Sequence, residues 1–218
     1  MALFTAKTTE QYRDAIVNAL QDIDRLSQIV RALLLLSQAE SGQLALQKTP
    51  IDLSAVVRDL AEQFQIPAEA ANVRLSASTP PRCLAVVDRV QIERMITNLL
   101  SNAVKFTPEG GDVRLTLKGD EETIELVVED TGRGIPEEHL PHIFDRFYRV
   151  PGSGTAPGPD QGLGLGLSFV AWIVKAHDGT INVESAPGKG TRFRIQLPPG
   201  KVRSSQVEAA GQPIMNEL

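Results

Sequence analysis

Two glycine-rich segments flank a stretch with few apolar residues, and the first begins with an acidic residue. The first segment is Asp130-Thr-Gly-Arg-Gly-Ile-Pro, and the second is Gln161-Gly-Leu-Gly-Leu-Gly-Leu. Glycines let backbone N–H groups approach phosphates, and a carboxylate can accept a hydrogen bond from the amino group of a base. The residues between them, Pro151 to Asp160, are mostly Gly, Pro, Ser and Thr, which is typical of a movable loop. These features predict a nucleotide pocket under a lid.

A second set of polar residues shares one face of a predicted helix. Asn98, Asn102 and Lys105 fall together at the roughly 100° per residue of an α-helix. An amide carbonyl can coordinate Mg²⁺, and an ammonium can reach a terminal phosphate. A solvated helix face would carry the same residue types. Interleaved apolar residues such as Leu99 and Ala103 instead indicate a mostly buried helix, so we expect this face to form a second wall of the pocket.

The elements that must position these residues are those of an α+β fold. Helical periodicity predicts helices at residues 8–40, Leu53–Ala71, Asp88–Phe106, Glu137–Phe144 and Gly166–His177. Alternating or short apolar runs predict strands at Leu44–Ile51, Val73–Ser78, Cys83–Asp88, Asp112–Lys118, Thr123–Glu129, Thr180–Ser185 and Thr191–Leu197. We expect Pro67 to interrupt the second helix, and Gly119-Asp120 to form a tight turn. The prediction is a two-layer sandwich, a mixed sheet with three main helices, preceded by a long helical arm.

The predicted arm carries an apolar stripe that repeats every seven residues. Ile16, Ile23 and Val30 form one row of it. A lone amphipathic helix of this length must bury its stripe against another surface. Packing onto the following domain and pairing in a helical hairpin or dimeric bundle both satisfy that need. We expect a homodimer or larger species through the arm, which light scattering would detect.

Bulk composition narrows the class of protein. The chain has 218 residues, 42% of them hydrophobic and 22% charged, as in soluble globular proteins. A net charge of −5 argues against a nucleic-acid-binding surface. Cys83 is the single cysteine, which excludes an internal disulfide and fits a reducing compartment. No apolar stretch approaches the roughly 20 residues that span a bilayer. We expect a cytoplasmic chain without membrane contact of its own, whether or not a parent protein is membrane-anchored.

Five motifs, in their order and spacing, resemble those of sensor histidine kinases. They are the N box Asn98-Leu-Leu-Ser-Asn102-Ala-Val-Lys105, the G1 box Asp130-Thr-Gly132-Arg-Gly134-Ile135, the F box Ile143-Phe144-Asp-Arg-Phe147, the G2 box Gly162-Leu-Gly164-Leu-Gly166-Leu167, and the last glycine box Gly188-Lys-Gly190-Thr191. The resemblance implies the ATP-binding sandwich shared with gyrase, Hsp90 and MutL. It also implies three regions: residues 1–42 as the second helix of a dimerisation and histidine-phosphotransfer domain, 43–199 as the catalytic ATP-binding domain, and 200–218 as a disordered tail.

The resemblance implies ATP and Mg²⁺ as ligands and gives a role to each matching residue. Asp130 would bind the adenine amino group, with Thr191 and Gly134 beside it, and Asn102 would hold Mg²⁺. The other residues implied at the nucleotide are Asn98, Lys105 and Arg149 near the phosphates, Gly162, Leu163, Gly164, Leu165, Gly166 and Leu167 along the triphosphate, Gly132 and Ile135 in the G1 box, and Phe144 and Phe147 at the near end of the lid.

The phosphoacceptor is the part of the family pattern that this sequence does not match. In the family it lies in a Ser-His-Glu-x-x-Thr-Pro pattern on the first helix of the dimerisation domain. The three histidines of this chain are His139, His142 and His177, each outside such a pattern, and we expect surface or capping roles for them. We expect the chain to begin in the loop after the acceptor helix, and to be unable to autophosphorylate by itself.

The chemistry of the polar helix favours phosphotransfer over hydrolysis. Gyrase and Hsp90 relatives place a glutamate base four residues before the magnesium asparagine, where this chain has Asn98, an amide that cannot take up a proton. Glu93 lies roughly 180° around the helix from Asn102. The favoured function is transfer to an outside histidine and on to the receiver domain of a response regulator. The alternative is a non-catalytic ATP-binding module that docks to a kinase bundle or response regulator. A serine kinase of the anti-sigma-factor type shares the sandwich, but the arm argues against it.

Overall fold

The computed structural model describes residues 45–120, 122–151 and 163–200, together with Thr8, Tyr12, Arg13, Ala15–Val17, Ala19, Leu20 and Ile23. Most of the predicted helix 8–40, most of the loop from Pro151 to Asp160, Gly162 and the tail beyond residue 200 therefore lie outside the described residues. The described arm residues after Thr8 are helical, and three of their large apolar residues are more than half exposed: Ile16, Leu20 and Ile23. Within the described part, no helix is long and apolar enough to cross a bilayer.

Helices and strands alternate irregularly along the described chain. The strands are β1 (Thr49–Asp52), β2 (Arg74–Ser78), β3 (Leu84–Val87), β4 (Asp112–Gly119), β5 (Ile124–Asp130), β6 (Thr180–Ser185) and β7 (Thr191–Leu197). The helices are α1 (Leu53–Gln63), α2 (Gln65–Ala70), α3 (Arg89–Phe106) and α4 (Gly166–Ala176), and a 3₁₀-helix spans Glu137–His142.

Five strands form one mixed sheet in the order β2-β4-β5-β7-β6. β2 runs parallel to β4, and the other neighbours are antiparallel. β1 and β3 form a separate antiparallel pair. One face of the large sheet packs against α1, α3 and α4 through a single apolar core. The predicted α+β fold, with a mixed sheet and three main helices, is confirmed.

The other face of the large sheet is polar, with opposite charges on neighbouring strands. Arg114 pairs in register with Glu129, which in turn lies opposite Arg192 and then Glu184. Arg192 Nη2 is 2.7 Å from Glu129 Oε1, and Arg192 Nη1 is 3.8 Å from Glu184 Oε2. Opposite charges directly across strands stabilise a sheet modestly and keep its face in water. This row explains why the fold has two layers rather than three.

Helix α3 supplies the centre of the core and carries the predicted polar face. Asp88 caps its N-terminus, because the Asp88 carboxylate accepts a 3.1 Å hydrogen bond from Gln91 N. The helix buries almost completely the side chains of Ile92, Met95, Ile96, Leu99 and Leu100. Burying side chains of this size contributes about 1.5–3 kcal/mol each. The buried stripe fixes the rotation of α3 and therefore the direction of its opposite, polar face.

The predicted strand Leu44–Ile51 is wrong at residues 45–48, and Leu44 lies outside the described residues. Among the described residues of that stretch, the strand begins at Thr49, because β1 pairs with the four residues of β3. Just before it, Gln47 N donates a 2.9 Å hydrogen bond to Asp88 Oδ2 at the start of α3. This bond holds the backbone just before β1 against the start of α3, so that it does not continue the pairing with β3.

The predicted helix Leu53–Ala71 is interrupted, as expected, but three residues before Pro67. α1 ends at Gln63 and is capped by Phe64, whose N–H donates to Leu60 O, and α2 begins at Gln65. Pro67 is the third residue of α2, in the first turn, where its missing N–H breaks no intrahelical bond. The proline is therefore compatible with the start of the second segment.

Two local predictions are present with shifted or shortened bounds. Gly119 is the last residue of β4, and the turn follows it because the Asp120 carboxylate accepts from Glu122 N at 2.8 Å and Thr123 N at 2.7 Å. These backbone hydrogen bonds lower the pKa of Asp120. The predicted short helix Glu137–Phe144 occurs as a 3₁₀-helix over Glu137–His142, two residues shorter than predicted, a form that is common in short helices. The remaining elements match their predicted ends within one residue.

His177 caps the end of α4 and is almost fully buried. Its Nε2 accepts a 3.0 Å hydrogen bond from Asp88 N, and its Nδ1 lies 2.8 Å from Ile173 O, which requires a proton on Nδ1. Desolvation by burial lowers the pKa of His177, while the bond to Ile173 and the nearby Asp88 and Asp178 oppose that shift. A neutral imidazole thus joins the end of α4 to the start of α3.

Acidification should destabilise the domain through His177. The unfolded chain takes up a proton near the ordinary histidine pKa of about 6.5, whereas the folded chain resists it. The stabilisation is therefore complete above that pH and is lost as the pH falls towards the lowered pKa of the folded state. Denaturant unfolding between pH 7.5 and 5.5 should show this fall in the free energy of unfolding. His177→Gln should be less stable at pH 7.5 and depend less on pH, and equal slopes for both proteins would contradict us.

Candidate functional site

Asp130 ends β5 with a carboxylate that is only 9% exposed. Its Oδ1 accepts a 2.8 Å hydrogen bond from Gly132 N and a 3.2 Å hydrogen bond from Thr191 N. Within the described part of the chain, both hydrogen bonds to this carboxylate end on Oδ1, so Oδ2 has no protein donor there. Burial raises the pKa of Asp130, and the two N–H donors oppose that shift. The group is an oriented acceptor with one oxygen available for a ligand.

Glycines bring two turns of the chain together beside this carboxylate. A Cβ on Gly134, at φ +70°, would overlap the carbonyl oxygen of Ala186, and a Cβ on Gly190, at φ +82°, would overlap that of Asp130. Gly188 N also donates a 2.7 Å hydrogen bond to Arg133 O. The turn after β5 and the β6–β7 turn therefore make close backbone contact, which side chains would prevent.

Ser185 fastens the same two turns from the end of β6. Its Oγ accepts from Ile135 N at 2.8 Å, donates to Gly190 O at 2.8 Å and lies 3.0 Å from Thr191 Oγ1. Sequence reasoning did not select Ser185. Its position opposite Thr191 in the predicted hairpin was the available signal.

The polar face of α3 begins where the turn after β5 ends. A Cβ on Gly132 would lie 2.6 Å from Phe106 O, and Arg133 N donates to that oxygen. Two cations lie near the Phe106 ring, with Arg133 Cζ 4.2 Å and Lys105 Nζ 5.7 Å from its centroid. Burial lowers the pKa of Arg133. Phe106 and Arg133 are thus part of the site, although sequence reasoning did not include them.

Asn98 and Asn102 lie on the same face of α3 and are half-buried. Asn98 Nδ2 donates a 2.9 Å hydrogen bond to Arg94 O. Asn98 Oδ1 points towards Gly166, where an added Cβ would lie 2.9 Å away. The N-terminus of α4 therefore meets the amide face of α3, and a larger residue at Gly166 would have to displace that amide.

The second glycine-rich segment leads directly into α4, whose first N–H groups have no side-chain cap. Such N–H groups, with the helix dipole, favour an anion. Leu163 and Leu165 pack with Phe169 in a small cluster apart from the main core, and Arg94 Cζ lies 4.5 Å from the Phe169 ring centroid. Leu167 packs against the main core. The alternating leucines therefore hold the glycine backbone in place.

The F-box residues divide between core and surface. Ile143 is buried, and the Phe144 ring packs edge-on against Phe193 with 6.4 Å between centroids. Phe147 exposes 53% of its side chain and has φ +62°, and its N–H donates a 2.9 Å hydrogen bond to Gly164 O. Arg149 is exposed and Gly162 lies outside the described residues. Phe147 thus joins the two ends of the intervening segment through its backbone.

Most of the residues selected from the sequence are linked to one another, either by a direct contact or by their neighbouring positions in one element. These links pass from Asp130 through Gly132 to Phe106 and along α3, and from Asn98 through Gly166 and Gly164 to Phe147. One end of this path offers a buried acceptor and the other offers uncapped N–H groups, with amides and a lysine between them. That arrangement suits a ligand with a hydrogen-bond donor at one end and negative charge at the other.

Comparison with known proteins identifies the domain. Residues 87–201 match the family described as histidine kinase-, DNA gyrase B- and HSP90-like ATPase. The chain belongs to this family. The probable sensor kinase SilS of Salmonella typhimurium is 36% identical over 203 residues, which are 91% of this chain and 40% of SilS. The chain thus spans about two fifths of the length of that relative.

Solved structures place this ATPase-family domain among the histidine kinases. The Acinetobacter baumannii histidine kinase AdeS matches with a TM-score of 0.69 and 25% identity, over 90% of this chain and 88% of that one. Full-length ShkA in complex with AMPPNP matches with a TM-score of 0.75 and 26% identity, over 93% of this chain and 42% of that one. The recognised fold and the histidine kinase type of ATP-binding domain are confirmed.

Gly134→Ala should destabilise the domain more than Gly188→Ala. Both glycines have positive φ, so both substitutions carry the backbone strain of about 1 kcal/mol. The methyl group at Gly134 would also overlap the Ala186 carbonyl, whereas nothing lies within 4 Å of a Cβ at Gly188. Denaturant unfolding should give an additional loss of about 1–3 kcal/mol for Gly134→Ala. Equal losses would show that the two turns do not depend on this close approach.

Proposed function

We propose that this chain is the ATP-binding catalytic part of a sensor histidine kinase. It presents ATP with Mg²⁺ to a histidine, from which the phosphoryl group passes to the receiver domain of a response regulator. The observation that carries the proposal is the oriented Asp130 carboxylate at one end of a path whose other end is the N-terminus of α4. A nucleotide has the matching polarity, with an amino group on its base and negative charge on its phosphates.

Asp130 binds the adenine amino group through Oδ2 in this proposal. Gly132 N and Thr191 N occupy Oδ1 and hold the carboxylate plane. Gly134 and Ile135 shape the turn around the base. Specificity for adenine over guanine follows, because guanine places a carbonyl oxygen where adenine has its amino group, and two acceptors cannot hydrogen-bond.

The phosphates lie between α3 and the N-terminus of α4 in this proposal. Gly164 and Gly166 allow backbone N–H groups to reach them, while Asn98, Lys105 and Arg149 supply polar and positive groups. Leu163, Leu165 and Leu167 hold that backbone through their own packing. The remaining proposed contacts are those of Gly162, Phe144 and Phe147 at the loop.

Asn102 is the proposed protein ligand for Mg²⁺. Its half-buried amide oxygen is a hard donor on the face where the phosphates lie, and Mg²⁺ takes few protein ligands beside substrate phosphates and water. Among the described residues, no group of three His, Cys, Asp or Glu could form a separate metal site. The bound ion would neutralise phosphate charge during transfer.

Hydrolysis by water should be slow, because α3 offers no base near the phosphates. Asn98 has no basic site, and its Nδ2 is committed to Arg94 O at 2.9 Å. Glu93 is held on another part of the helix by Arg89, 2.7 Å away. The pocket therefore holds ATP for an outside nucleophile rather than activating water.

The histidines of this chain are poor acceptors for the phosphoryl group. His177 is buried with both ring nitrogens engaged, and His139 and His142 lie on the 3₁₀-helix with partners of their own. The acceptor in this proposal is a histidine outside these three, on a helical bundle that the arm helps to form. The pairing of two copies through the arm stays a prediction, and the exposed Ile16, Leu20 and Ile23 support it.

Saturating ATP with Mg²⁺ should raise the melting temperature by about 5–10 °C, the shift expected for a ligand far above its Kd. Asp130→Asn and Asn102→Asp should abolish that shift, since one places an amide donor against the adenine amino group and the other adds charge near the phosphates. Asp120→Asn, the same change at the other end of the β4–β5 hairpin, is the matched control and should keep the shift. Full shifts in both site variants would refute the pocket assignment.

Labelled phosphate from ATP should appear on a histidine only when an acceptor is supplied. The acceptor to add is a full-length relative made unable to bind ATP, with its phosphoacceptor histidine intact. A second preparation with that histidine replaced is the control. Label on the first preparation alone supports the kinase, and its absence from both, with ATP binding intact, would favour the non-catalytic docking module. Label on this chain alone would contradict our view of its three histidines.

A further inference from the structure

Tyr148 is held by two histidines of the 3₁₀-helix. Its Oη lies 2.7 Å from His139 Nδ1, and the two ring centroids are 6.1 Å apart. The centroid of the His142 ring lies 5.4 Å from that of the Tyr148 ring, and the two ring planes form an angle of 37°. His142 Nδ1 in turn is 3.0 Å from Asp145 Oδ2. The tyrosine side chain is therefore fixed to an element that precedes it by only a few residues.

The backbone at Tyr148 packs on the second glycine-rich segment. Phe147 N donates a 2.9 Å hydrogen bond to Gly164 O, and a Cβ on Gly164 would lie 2.7 Å from Tyr148 O. Phe147 adopts φ +62°, a conformation that an L-residue keeps only when its surroundings hold it there. The Phe147 ring is more than half exposed, whereas the next side chain, that of Tyr148, has fixed partners through which it can help to hold the turn.

The turn held by Tyr148 adjoins two groups that the proposed function assigns to the phosphates, Arg149 and the second glycine-rich segment. Arg149 follows it directly in the chain. Gly164, against its backbone, precedes Gly166, which lies beside the Asn98 amide. A shift of the Tyr148 ring would therefore move the Arg149 backbone and the glycine segment together.

The hydrogen bond between His139 and Tyr148 does not require one protonation state. A neutral ring with its proton on Nε2 accepts the tyrosine proton at Nδ1, and a protonated ring donates from Nδ1 to the tyrosine oxygen. Glu138 Oε1, 3.7 Å from Nε2, is 80% exposed in its side chain and adds little in water. The contact that matters is therefore the one to Tyr148.

We propose that His139 is a positioning residue for the phosphates of the nucleotide, acting through the Tyr148 hydroxyl on the Phe147–Arg149 turn and Gly164. The inference rests on the proposed function, because it assumes that Gly164, Gly166 and Arg149 face the phosphates. It differs from a purely structural role in one measurable respect. The loss should fall on phosphate binding and leave the adenosine part of the ligand unaffected.

Calorimetric titration of the full chain with Mg·ATP, and with adenosine displacing ATP, tests this inference. His139→Ala should weaken ATP binding about fivefold, the equivalent of about 1 kcal/mol, and leave adenosine binding unchanged. His139→Asn, whose amide can take the place of Nδ1, should restore ATP affinity to within about twofold. Tyr148→Phe should match His139→Ala, and the double variant should lose no more than either one. Glu138→Gln is the matched control on the same 3₁₀-helix and should bind both ligands normally.

Equal loss of ATP and adenosine binding in His139→Ala, or no loss at all, would overturn the positioning role. So would an additive loss in the double variant. Tyr148→Phe keeps the ring and carries the test if His139→Ala fails to fold. A wild-type chain that binds no Mg·ATP would overturn the proposed function itself, and this inference with it.

Discussion

The buried Asp130 carboxylate is the constraint on which the site depends. A charged group this poorly exposed must be hydrogen-bonded, and the donors closest to it are the N–H groups of Gly132 and Thr191. Meeting that need draws the turn after β5 onto the start of β7. The close approach of Gly134 and Gly190 then follows, because side chains at those positions would force the turns apart. One oxygen remains for a ligand, so the group that shapes the turns also offers the acceptor.

Much of the fold could be predicted from the sequence, because its signals are local. The β6–β7 hairpin and α3 have strong periodicity and clear turn or cap residues, and they occur where predicted. The largest difference arises where a distant partner decides. The strand expected from Leu44 is shortened by the pairing limit of β3 and by the bond between Gln47 and Asp88, and neither is visible in local alternation.

The same division applies to the candidate site. Asp130, Asn98 and the glycines could be selected because their residue types and spacing carry chemistry. Phe106 and Arg133 could not, since a phenylalanine and an arginine gain their roles only from what lies beside them after folding. For Ser185 the only signal was its place opposite Thr191 in the predicted hairpin. His177 shows the reverse case. Its capping role was expected, but its burial and its link to Asp88 come from the meeting of α3 and α4.

The small β1–β3 sheet has a consequence for how the domain joins other segments. β1, the first strand, pairs along one side of β3, while Val86 N in β3 donates a 2.9 Å hydrogen bond to Pro199 O beyond the last strand. Neighbouring strands lie about 4.8 Å apart, so the polypeptide enters and leaves this unit within roughly 10 Å. Because its entry and exit are adjacent, such a unit can be inserted into a longer protein without moving apart the two segments that it connects.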